Sequence, residues 1–415
     1  MKKLILIALL LMTGNLTHAQ CEEGRFGVDP IFEEVMVTKN IVYGTNVMPS
    51  NGTTLMDLNM DFYEPVGDSS EARPLVILCF GGAFYAGSKD SPDTVFLAEE
   101  LAKRGYATAA IQYRLESVFN LLNVEKMIKI IFMAVQDGKG AVRHFRQDAA
   151  GDNVYKIDPD RIFMGGVSAG AILSLHLAYL EDGEVTGEWA DWLAEVGGIE
   201  GESGNPGYDS DVRAVVSIAG AIGIDHWIDE EEVPVVSMHS TGDGTVNYGL
   251  GSPLGFTELP NMYGSQLIHE RADSLGIRNS LHTYNSDAHP PYVLASAVES
   301  TAVLAEHVQQ TIAFLTPEIE CDEPVVVNPG IVSVNESSKL HIYPNPTSGR
   351  FYLEFSQTPH SEVAISIYDL SGRMVQQENT TERLNKLDIS TLTAGIYSIQ
   401  VQLGTELFSH KLAVK

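Results

Sequence analysis

The sequence has little cysteine, little positive charge and no apolar run long enough for a membrane span. Three cysteines in 415 residues are too few for a disulfide-stapled miniprotein or a four-thiolate zinc site. The 26 Lys and Arg residues face 55 Asp and Glu residues, and this net charge of −29 disfavours nucleic acid and anionic lipid as partners. No stretch reaches the roughly 18 apolar residues of a transmembrane segment. The apolar fraction of 44% nevertheless supports a sizeable core, which excludes wholesale disorder.

Residues 1–19 have the pattern of a secretory signal peptide. Two lysines form a basic start, residues 4–12 are apolar without interruption, and small residues precede a cleavage site before Gln20. A buried N-terminal helix is the alternative, and it fits this pattern poorly. We therefore expect a secreted or surface-attached protein that is exported through the periplasm, in an oxidising compartment.

Charge and composition divide the rest of the chain. Residues 318–336 contain prolines and a glycine and lack amphipathic periodicity, which predicts a linker. Residues 337–415 hold seven basic and seven acidic side chains, whereas residues 20–336 hold 17 basic and 48 acidic ones, a net charge of −31. We expect a catalytic domain over residues 20–317 and a separate domain over residues 337–415.

The C-terminal part alternates apolar and polar residues with a period of two. Short strands separated by turns are predicted at 350–355, 363–368, 395–401 and 407–414. This spacing is typical of a small all-β sandwich. Histidines, cysteines and carboxylates do not cluster in this part of the sequence, so we expect no chemistry there.

The same part resembles a known family in several motifs. These are IYPNPTSGRFYLEF, IYDLSGRMV and LDISTLTAGIYSIQV, followed by a basic final residue. They resemble the C-terminal sorting domain of type IX secretion cargo. The resemblance implies outer-membrane secretion machinery as a partner, with removal of the domain or attachment at the cell surface. An ordinary carbohydrate-binding sandwich is the alternative.

Residues 20–317 alternate predicted strands and helices. An apolar run at 74–80 ends in two glycines, as expected for a strand buried on both faces. Further strands are predicted at 106–113, 161–165, 212–218, 233–238 and 281–285, and helices at 93–104, 124–146, 169–179, 261–275 and 292–314. This alternation predicts a doubly wound, mostly parallel sheet with helices on both faces. Ligand sites in such sheets lie at the carboxyl ends of the strands.

One such strand end carries the segment GVSAG at residues 166–170, which matches G-x-S-x-G. A serine on a sharp turn from strand to helix is held in a strained conformation, and small neighbours leave its hydroxyl exposed. The helix that follows directs free N–H groups toward a developing anion. We predict that Ser168 is a nucleophile. The alternative is a glycine-rich turn that packs a helix on a strand.

A nucleophilic serine needs a base and an orienting acid, in the chain order Ser, Asp, His. Asp243 lies in a tight loop after the strand at 233–238, and His289 lies in the loop after the strand at 281–285, so we predict them as acid and base. Asp287 is the rival acid, disfavoured because side chains two residues apart seldom point at one another. Five other histidines are interpreted as surface or packing residues: His144, His226, His239, His269 and His282.

An oxyanion hole needs at least two backbone N–H groups aimed at the developing charge. Ala169, directly after the serine, supplies one. The second is expected from Gly82 or Ala83 in the early loop FGGAF, because glycines let the backbone present N–H groups instead of side chains. A simple turn is the alternative.

Together these segments resemble the α/β-hydrolase superfamily, in particular secreted carboxylesterases and lipases with an HGG-type oxyanion loop. The resemblance covers residues 70–315 and rests on FGGAFYAGSKD, AVQDGKGAVRHFR, DPDRIFMGGVSAG, HSTGDGTV and SDAHPPY. It implies an α/β-hydrolase fold followed here by the β-sandwich domain. Phe80 stands where the family usually has a histidine that braces the loop, so support for the loop must come from elsewhere.

The substrate is less constrained by the sequence. Residues 181–202 hold eight acidic side chains and no basic one. This segment is predicted to form a lid or a rim of the site, and a solvated acidic loop is the alternative. An acidic rim would favour neutral esters. Aromatic residues at strand ends line pockets or fill cores, and the candidates for substrate binding are Phe84, Tyr85, Trp227 and Tyr248.

Cys21 and Cys321 bracket the catalytic domain, and we predict a disulfide that ties its two ends together. Cys79, inside an apolar strand, is expected to be a buried free thiol. Metal-ligand spacing such as H-E-x-x-H is absent from the sequence, so we expect neither a metal nor an organic cofactor.

The leading hypothesis is therefore a secreted serine carboxylesterase. It would act on a small-molecule or glycan-linked neutral ester through an acyl-enzyme. A serine peptidase of the same fold and a catalytically inactive binding protein are the alternatives, and Phe80 is the only sequence feature that favours the last.

Overall fold

The computed structural model describes residues 25–230 and 232–319, and in the C-terminal part 340–343, 347, 349–355, 363–368, 374–390, 392–393, 395–403 and 406–414. The chain divides into two compact units, Met1–Val325 and Val326–Lys415. The predicted signal peptide, the predicted Cys21–Cys321 disulfide and the linker from residue 320 onward lie outside the described residues. Ile319 is buried in the core of the first unit, which therefore reaches at least this far.

Eight strands form the central sheet of the first unit. They are β1 (Val35–Val47), β2 (Leu55–Pro65), β3 (Arg73–Cys79), β4 (Ala107–Ile111), β5 (Ile157–Val167), β6 (Val215–Ile218), β8 (Val235–Ser240) and β11 (Asn279–Tyr284), in the order β1-β2-β4-β3-β5-β6-β8-β11. The six strands from β4 to β11 in this order pair in parallel, and β1 and β2 add an antiparallel edge. A small second sheet contains β7 (Ala221–Ile222), β9 (Leu250–Gly251) and β10 (Met262–Gly264).

Helices cover both faces of this sheet. They are α1 (Pro92–Ala102), α2 (Val124–Ala150), α3 (Ala169–Tyr179), α4 (Glu188–Glu195), α5 (Ser265–Leu275) and α6 (Ala297–Leu315). Leu75 and Ile77 of β3 lie in the core beneath α2 and α3, whereas Val76 and Leu78 lie in the core beneath α1 and α6. Successive side chains of a strand point to opposite faces, so a strand covered on both sides must be apolar throughout. The predicted mostly parallel, doubly wound sheet is confirmed.

Several elements differ from the sequence prediction. The edge strands β1 and β2 were not predicted. In β1, bulges after Thr38 and Val42 interrupt the alternation of the strand. Helix α6 begins at Ala297 instead of residue 292. Ser296 caps this start by accepting a hydrogen bond from Glu299 N–H. Among the described residues, no helix is both long enough and apolar enough to cross a bilayer.

The second unit is all-β. Its strands are β12 (Leu340–Tyr343), β13 (Arg350–Phe355), β14 (Val363–Tyr368), β15 (Met374–Thr380), β16 (Leu384–Asp388), β17 (Gly395–Leu403) and β18 (Glu406–Val414). They form two antiparallel sheets, β12-β13-β16 and β15-β14-β17-β18. Alternate residues such as Phe351, Ile365 and Ile399 build one apolar core between strands of both sheets, as in a sandwich. The predicted small all-β architecture is confirmed.

Candidate active site

Four loops that follow strands of the main sheet meet at its carboxyl edge. The loop after β3 contains residues 80–87, β5 ends next to Ser168, the loop after β8 carries Asp243, and the loop after β11 carries His289. Parallel pairing of these strands brings their carboxyl ends to the same side of the sheet. Side chains far apart in sequence are thereby gathered into one site.

Ser168 lies on the sharp turn between β5 and α3. Its φ of 54° and ψ of −116° are unfavourable for a residue with a Cβ, as expected of a strained nucleophile elbow. Both glycines of the motif are required by close packing. A Cβ on Gly170 would lie 2.1 Å from the carbonyl oxygen of Cys79, and one on Gly166 would lie 2.6 Å from the same oxygen. Cys79 itself is a buried free thiol, as predicted.

The three residues predicted as nucleophile, base and acid lie in hydrogen-bond contact. Ser168 Oγ is 2.7 Å from His289 Nε2, and His289 Nδ1 is 2.6 Å from Asp243 Oδ2. A carboxylate only accepts hydrogen bonds, so His289 Nδ1–H donates to Asp243 and Nε2 is free to accept from the Ser168 hydroxyl. This arrangement lets the imidazole remove the serine proton.

Asp243 is buried and strongly hydrogen-bonded. The backbone N–H groups of Thr245 and Val246 donate to its Oδ1, at 2.8 and 3.0 Å. Burial alone would raise the pKa of Asp243, but hydrogen bonds from His239, His289 and the Thr245 N–H hold this pKa below its usual range. The carboxylate therefore stays ionised. Asp287, the rival acid, is exposed, and His289 Nδ1 is directed at Asp243.

The loop after β3 passes directly over Ser168. A Cβ on Gly81 would lie 3.3 Å from Ser168 Cβ. Gly82 has a φ of 132° and Ala83 a φ of 51°. The backbone turns here, and Gly82 O accepts hydrogen bonds from the N–H groups of Tyr85 and Ala86, three and four residues further on. Among the loop and turn hydrogen bonds of the described residues, none has Ala83 N–H as its donor. Ala169 is the first residue of α3, where a backbone N–H has no acceptor within the helix. Both donors are thus available at the site.

Phe80 is held by an aromatic stack. Its ring is fully buried and lies parallel to that of Tyr113, with centroids 4.3 Å apart and an interplanar angle of 13°. The Tyr113 hydroxyl donates to the Phe80 carbonyl oxygen at 2.7 Å, and Glu116 N–H donates to Phe84 O at 2.8 Å. The segment after β4 therefore braces both ends of the loop, which answers how it is supported without the family's histidine.

Two cavities of different character meet at Ser168. One is an apolar cavity of about 80 Å³, and the other is an open, more polar cavity of about 320 Å³ that also contains His289. They share Ala83, Ser168, Thr245 and Leu254. Of the predicted substrate-binding residues, Phe84 and Trp227 line the apolar cavity and Tyr85 the open one. Tyr248 lines neither; its ring packs edge-on against His239 at 5.6 Å.

The acidic insert at residues 181–202 forms part of the apolar cavity wall. It contains α4, whose Trp189 lines the cavity. The insert is tied to α2 at several points: Lys129 to Glu195 at 2.5 Å, Lys139 and Arg143 to Glu200 at 2.7 Å each, and Gln136 Nε2 to the carbonyl oxygens of Val196 and Gly198. These contacts favour a fixed rim over a freely solvated loop.

His239 is a site residue whose position the sequence prediction missed. It was interpreted as a surface or packing histidine, but it is fully buried and its Nε2 lies 3.3 Å from Asp243 Oδ2. The available signal was its spacing of four residues from Asp243 at the end of β8. Among the described residues, no group of His, Cys, Asp and Glu side chains has the arrangement of a metal site.

Comparisons with solved structures find similar chains. Esterase 2 from the planctomycete Thermogutta terrifontis with bound propionate is 20% identical, with 71% of this chain and 98% of that chain covered and a TM-score of 0.46. The same esterase phosphorylated by paraoxon is 21% identical, with 70% and 96% covered and a TM-score of 0.47. A truncated carbohydrate esterase from gut microbiota is 19% identical, with 69% and 99% covered and a TM-score of 0.45. The ligands in these names belong to those proteins. A search of curated protein sequences found no match.

Two family models match the sequence. The BD-FAE family, of α/β-hydrolase esterases, matches residues 60–251, which include Ser168 and Asp243. The secretion system C-terminal sorting domain matches residues 341–415, the all-β unit. A mostly parallel sheet with a strained serine at one strand end agrees with the first match. Residues 60–251 therefore carry a domain of the BD-FAE family of α/β-hydrolase esterases, and residues 341–415 carry a secretion system C-terminal sorting domain.

Proposed function

We propose that this protein is a secreted serine carboxylesterase that hydrolyses neutral esters through an acyl-enzyme. The observation that carries the proposal is the continuous contact from Ser168 Oγ through His289 to Asp243, with heavy-atom distances of 2.7 and 2.6 Å. A serine hydroxyl is a weak nucleophile, and a base within hydrogen-bond reach activates it.

In the acylation step, Ser168 Oγ forms a bond to the ester carbonyl carbon while its proton moves to His289 Nε2. The carbonyl oxygen becomes an oxyanion that accepts hydrogen bonds from Ala169 N–H and from the N–H of Ala83 or Gly82. The intermediate then collapses, the bond to the alcohol oxygen breaks, and His289 gives its proton to the departing alcohol. Asp243 stays ionised throughout and stabilises the charged imidazole.

Deacylation repeats these steps with water as the nucleophile. His289 removes a proton from the water as its oxygen attacks the acyl carbon, and the same N–H groups hold the second oxyanion. Collapse of this intermediate breaks the bond to Ser168 Oγ, which takes back the proton from His289. The products are the carboxylic acid and the free enzyme.

The two cavities suggest how an ester would bind. The apolar cavity suits the acyl group, and the open polar cavity suits the alcohol, which must leave toward solvent. At about 80 Å³ the apolar cavity is roughly half the size of an engineered cavity of about 150 Å³ that takes up benzene. We therefore expect short acyl groups to be preferred. The excess of 48 acidic over 17 basic residues at 20–336 disfavours anionic esters.

Hydrolysis of p-nitrophenyl esters tests the proposal. Ser168→Ala should abolish turnover without unfolding the protein. Ser217→Ala is the matched control, because Ser217 is also buried but its hydroxyl has no hydrogen-bond partner among the described residues. Undiminished activity of Ser168→Ala would refute the assignment. Turnover of peptide amides in preference to esters would favour the peptidase alternative.

The stack of Phe80 on Tyr113 supports an active enzyme over an inactive binding protein, because it holds the oxyanion loop without the usual histidine. An absence of hydrolysis across acyl chain lengths and across acetylated and feruloylated glycans would favour the binding protein.

We also propose that the chain crosses the periplasm and that residues 337–415 direct its export across the outer membrane. The sorting-domain match supports this route. Deletion of residues 337–415 should leave esterase activity intact and retain the enzyme within the cell envelope. Loss of activity in the purified truncated protein would contradict this division of labour between the two units.

A further inference from the structure

His239 occupies a position that packing alone does not explain. Its side chain is 0% exposed at the end of β8, next to the acid of the proposed catalytic residues. Its Nδ1 lies 2.8 Å from Ser265 Oγ, and its Nε2 lies 2.9 Å from the carbonyl oxygen of Val246. Both ring nitrogens therefore have specific partners.

These partners define which nitrogen carries the proton. A backbone carbonyl oxygen only accepts hydrogen bonds, so His239 Nε2 must be protonated to pair with Val246 O. A neutral ring then leaves Nδ1 to accept the hydrogen of the Ser265 hydroxyl. The same Nε2–H lies 3.3 Å from Asp243 Oδ2, the oxygen that also accepts from His289 Nδ1. Asp243 Oδ2 is thus placed between two imidazole N–H groups.

We propose that His239 is a positioning residue that tunes the catalytic base through Asp243. It fixes the 243–246 turn through Val246 O, and by donating to Asp243 Oδ2 it withdraws part of the negative charge that Asp243 presents to His289. Removing this donor would return the full negative charge of Asp243 to His289 and would stabilise its imidazolium more strongly. The inference rests on the proposed function of Ser168, Asp243 and His289.

Other ionisable groups surround this arrangement. The ring of Tyr248 packs edge-on against His239. Burial raises the pKa of Tyr248, and the negative charge of Glu270 adds to this rise. Asp93 lines the open cavity together with His289, and Asp287 precedes His289 by two residues. All four groups are unchanged by a substitution at residue 239, so a difference between variants reports the missing N–H donor.

The test compares His239→Leu with His239→Gln in the full-length protein. Leucine fills the space without a donor, whereas the glutamine amide can place an N–H group near the position of Nε2. We expect the acid limb of the kcat/KM profile on p-nitrophenyl acetate to move up by about one pH unit in His239→Leu, as for the loss of a hydrogen bond to a charged group. His239→Gln should restore most of the wild-type profile. A purely structural role would lower activity at every pH and leave the acid limb in place.

An unmoved acid limb in an active His239→Leu protein, or equal shifts in both variants, would overturn the inference. Ser168→Ala in the same assay separates a failure of this inference from a failure of the proposed function, because residual turnover in Ser168→Ala would refute the proposed function itself. Nitrogen-15 NMR of histidine-labelled wild-type protein gives a result even where a variant fails to fold. We expect a protonated Nε2 and an unprotonated Nδ1 for His239, and the opposite tautomer would overturn the proposal.

Discussion

Removing the Tyr113 hydroxyl should weaken the support of the proposed oxyanion loop, because this hydroxyl holds the first residue of the loop. The Tyr113 hydroxyl donates to the Phe80 carbonyl oxygen at 2.7 Å, and both residues are fully buried. Tyr113→Phe removes this hydroxyl while keeping the stacked ring. The carbonyl is then left without its partner, which should lower the free energy of unfolding by about 1–3 kcal/mol.

Tyr113→Phe should also lower kcat. Phe80 begins the loop that contains Gly82 and Ala83. Without the hydrogen bond to its carbonyl oxygen, the backbone N–H groups proposed to bind the oxyanion should be held less firmly in place. Complete loss of one such donor costs about 10²–10³ in kcat, and a loosened donor should cost roughly 10-fold. KM should change little, because the cavity walls are untouched.

Tyr179→Phe is the matched control. Its hydroxyl also donates from a buried ring to a backbone carbonyl, Val233 O, at 2.8 Å, but far along the chain from the loop. Urea unfolding and p-nitrophenyl acetate kinetics should show a similar loss of stability in both variants and a loss of kcat in Tyr113→Phe alone. Wild-type kcat in a destabilised Tyr113→Phe protein would refute the brace.

Further substitutions and a pH series probe other parts of the structure. Gly170→Ala should fail to give soluble, active enzyme, since its Cβ would lie 2.1 Å from Cys79 O; wild-type yield and activity would contradict the close packing. Trp189→Ala should enlarge the apolar cavity and raise the octanoate-to-acetate ratio of kcat/KM for p-nitrophenyl esters, whereas Trp192→Ala, outside the lining, should not. Stability should fall as pH drops from about 6.5 toward 4, because burial lowers the pKa values of four histidines to about 4, 4, 4 and 3, so the unfolded chain binds more protons there. They are His176, His269, His282 and His307, and a free energy of urea unfolding that stays constant over this range would contradict the prediction.

The sequence was most informative where a pattern and a strand end coincide. The uninterrupted apolar run of β3 predicts a strand buried on both faces, and the GVSAG turn identifies Ser168 because only small residues fit that corner. Asp243 and His289 follow from chain order, since the parallel topology forces successive strand ends to one edge. These predictions need only local sequence and the rules of parallel sheets.

Contacts between segments that are distant in the chain could not be predicted from the sequence. The support of Phe80 by Tyr113 depends on the pairing of β3 with β4, which no local pattern specifies. Trp189 lines the apolar cavity only because ion pairs hold the acidic insert against α2. His239 lies in a buried strand, as a packing histidine would, and the role we propose for it follows from its distance to Asp243. The spacing of four residues between them is the one trace of this contact in the sequence, and it does not by itself distinguish the role from packing.

Covalent trapping shows which side chain forms the bond to the substrate. A p-nitrophenyl alkylphosphonate should react once per chain, with Ser168 Oγ displacing p-nitrophenolate from phosphorus. We expect esterase activity to be lost in step with p-nitrophenolate release. Mass spectrometry should find one adduct, on the peptide that contains Ser168, and no adduct in Ser168→Ala. An adduct on another residue, or full activity after Ser168 is modified, would contradict the proposed role of Ser168.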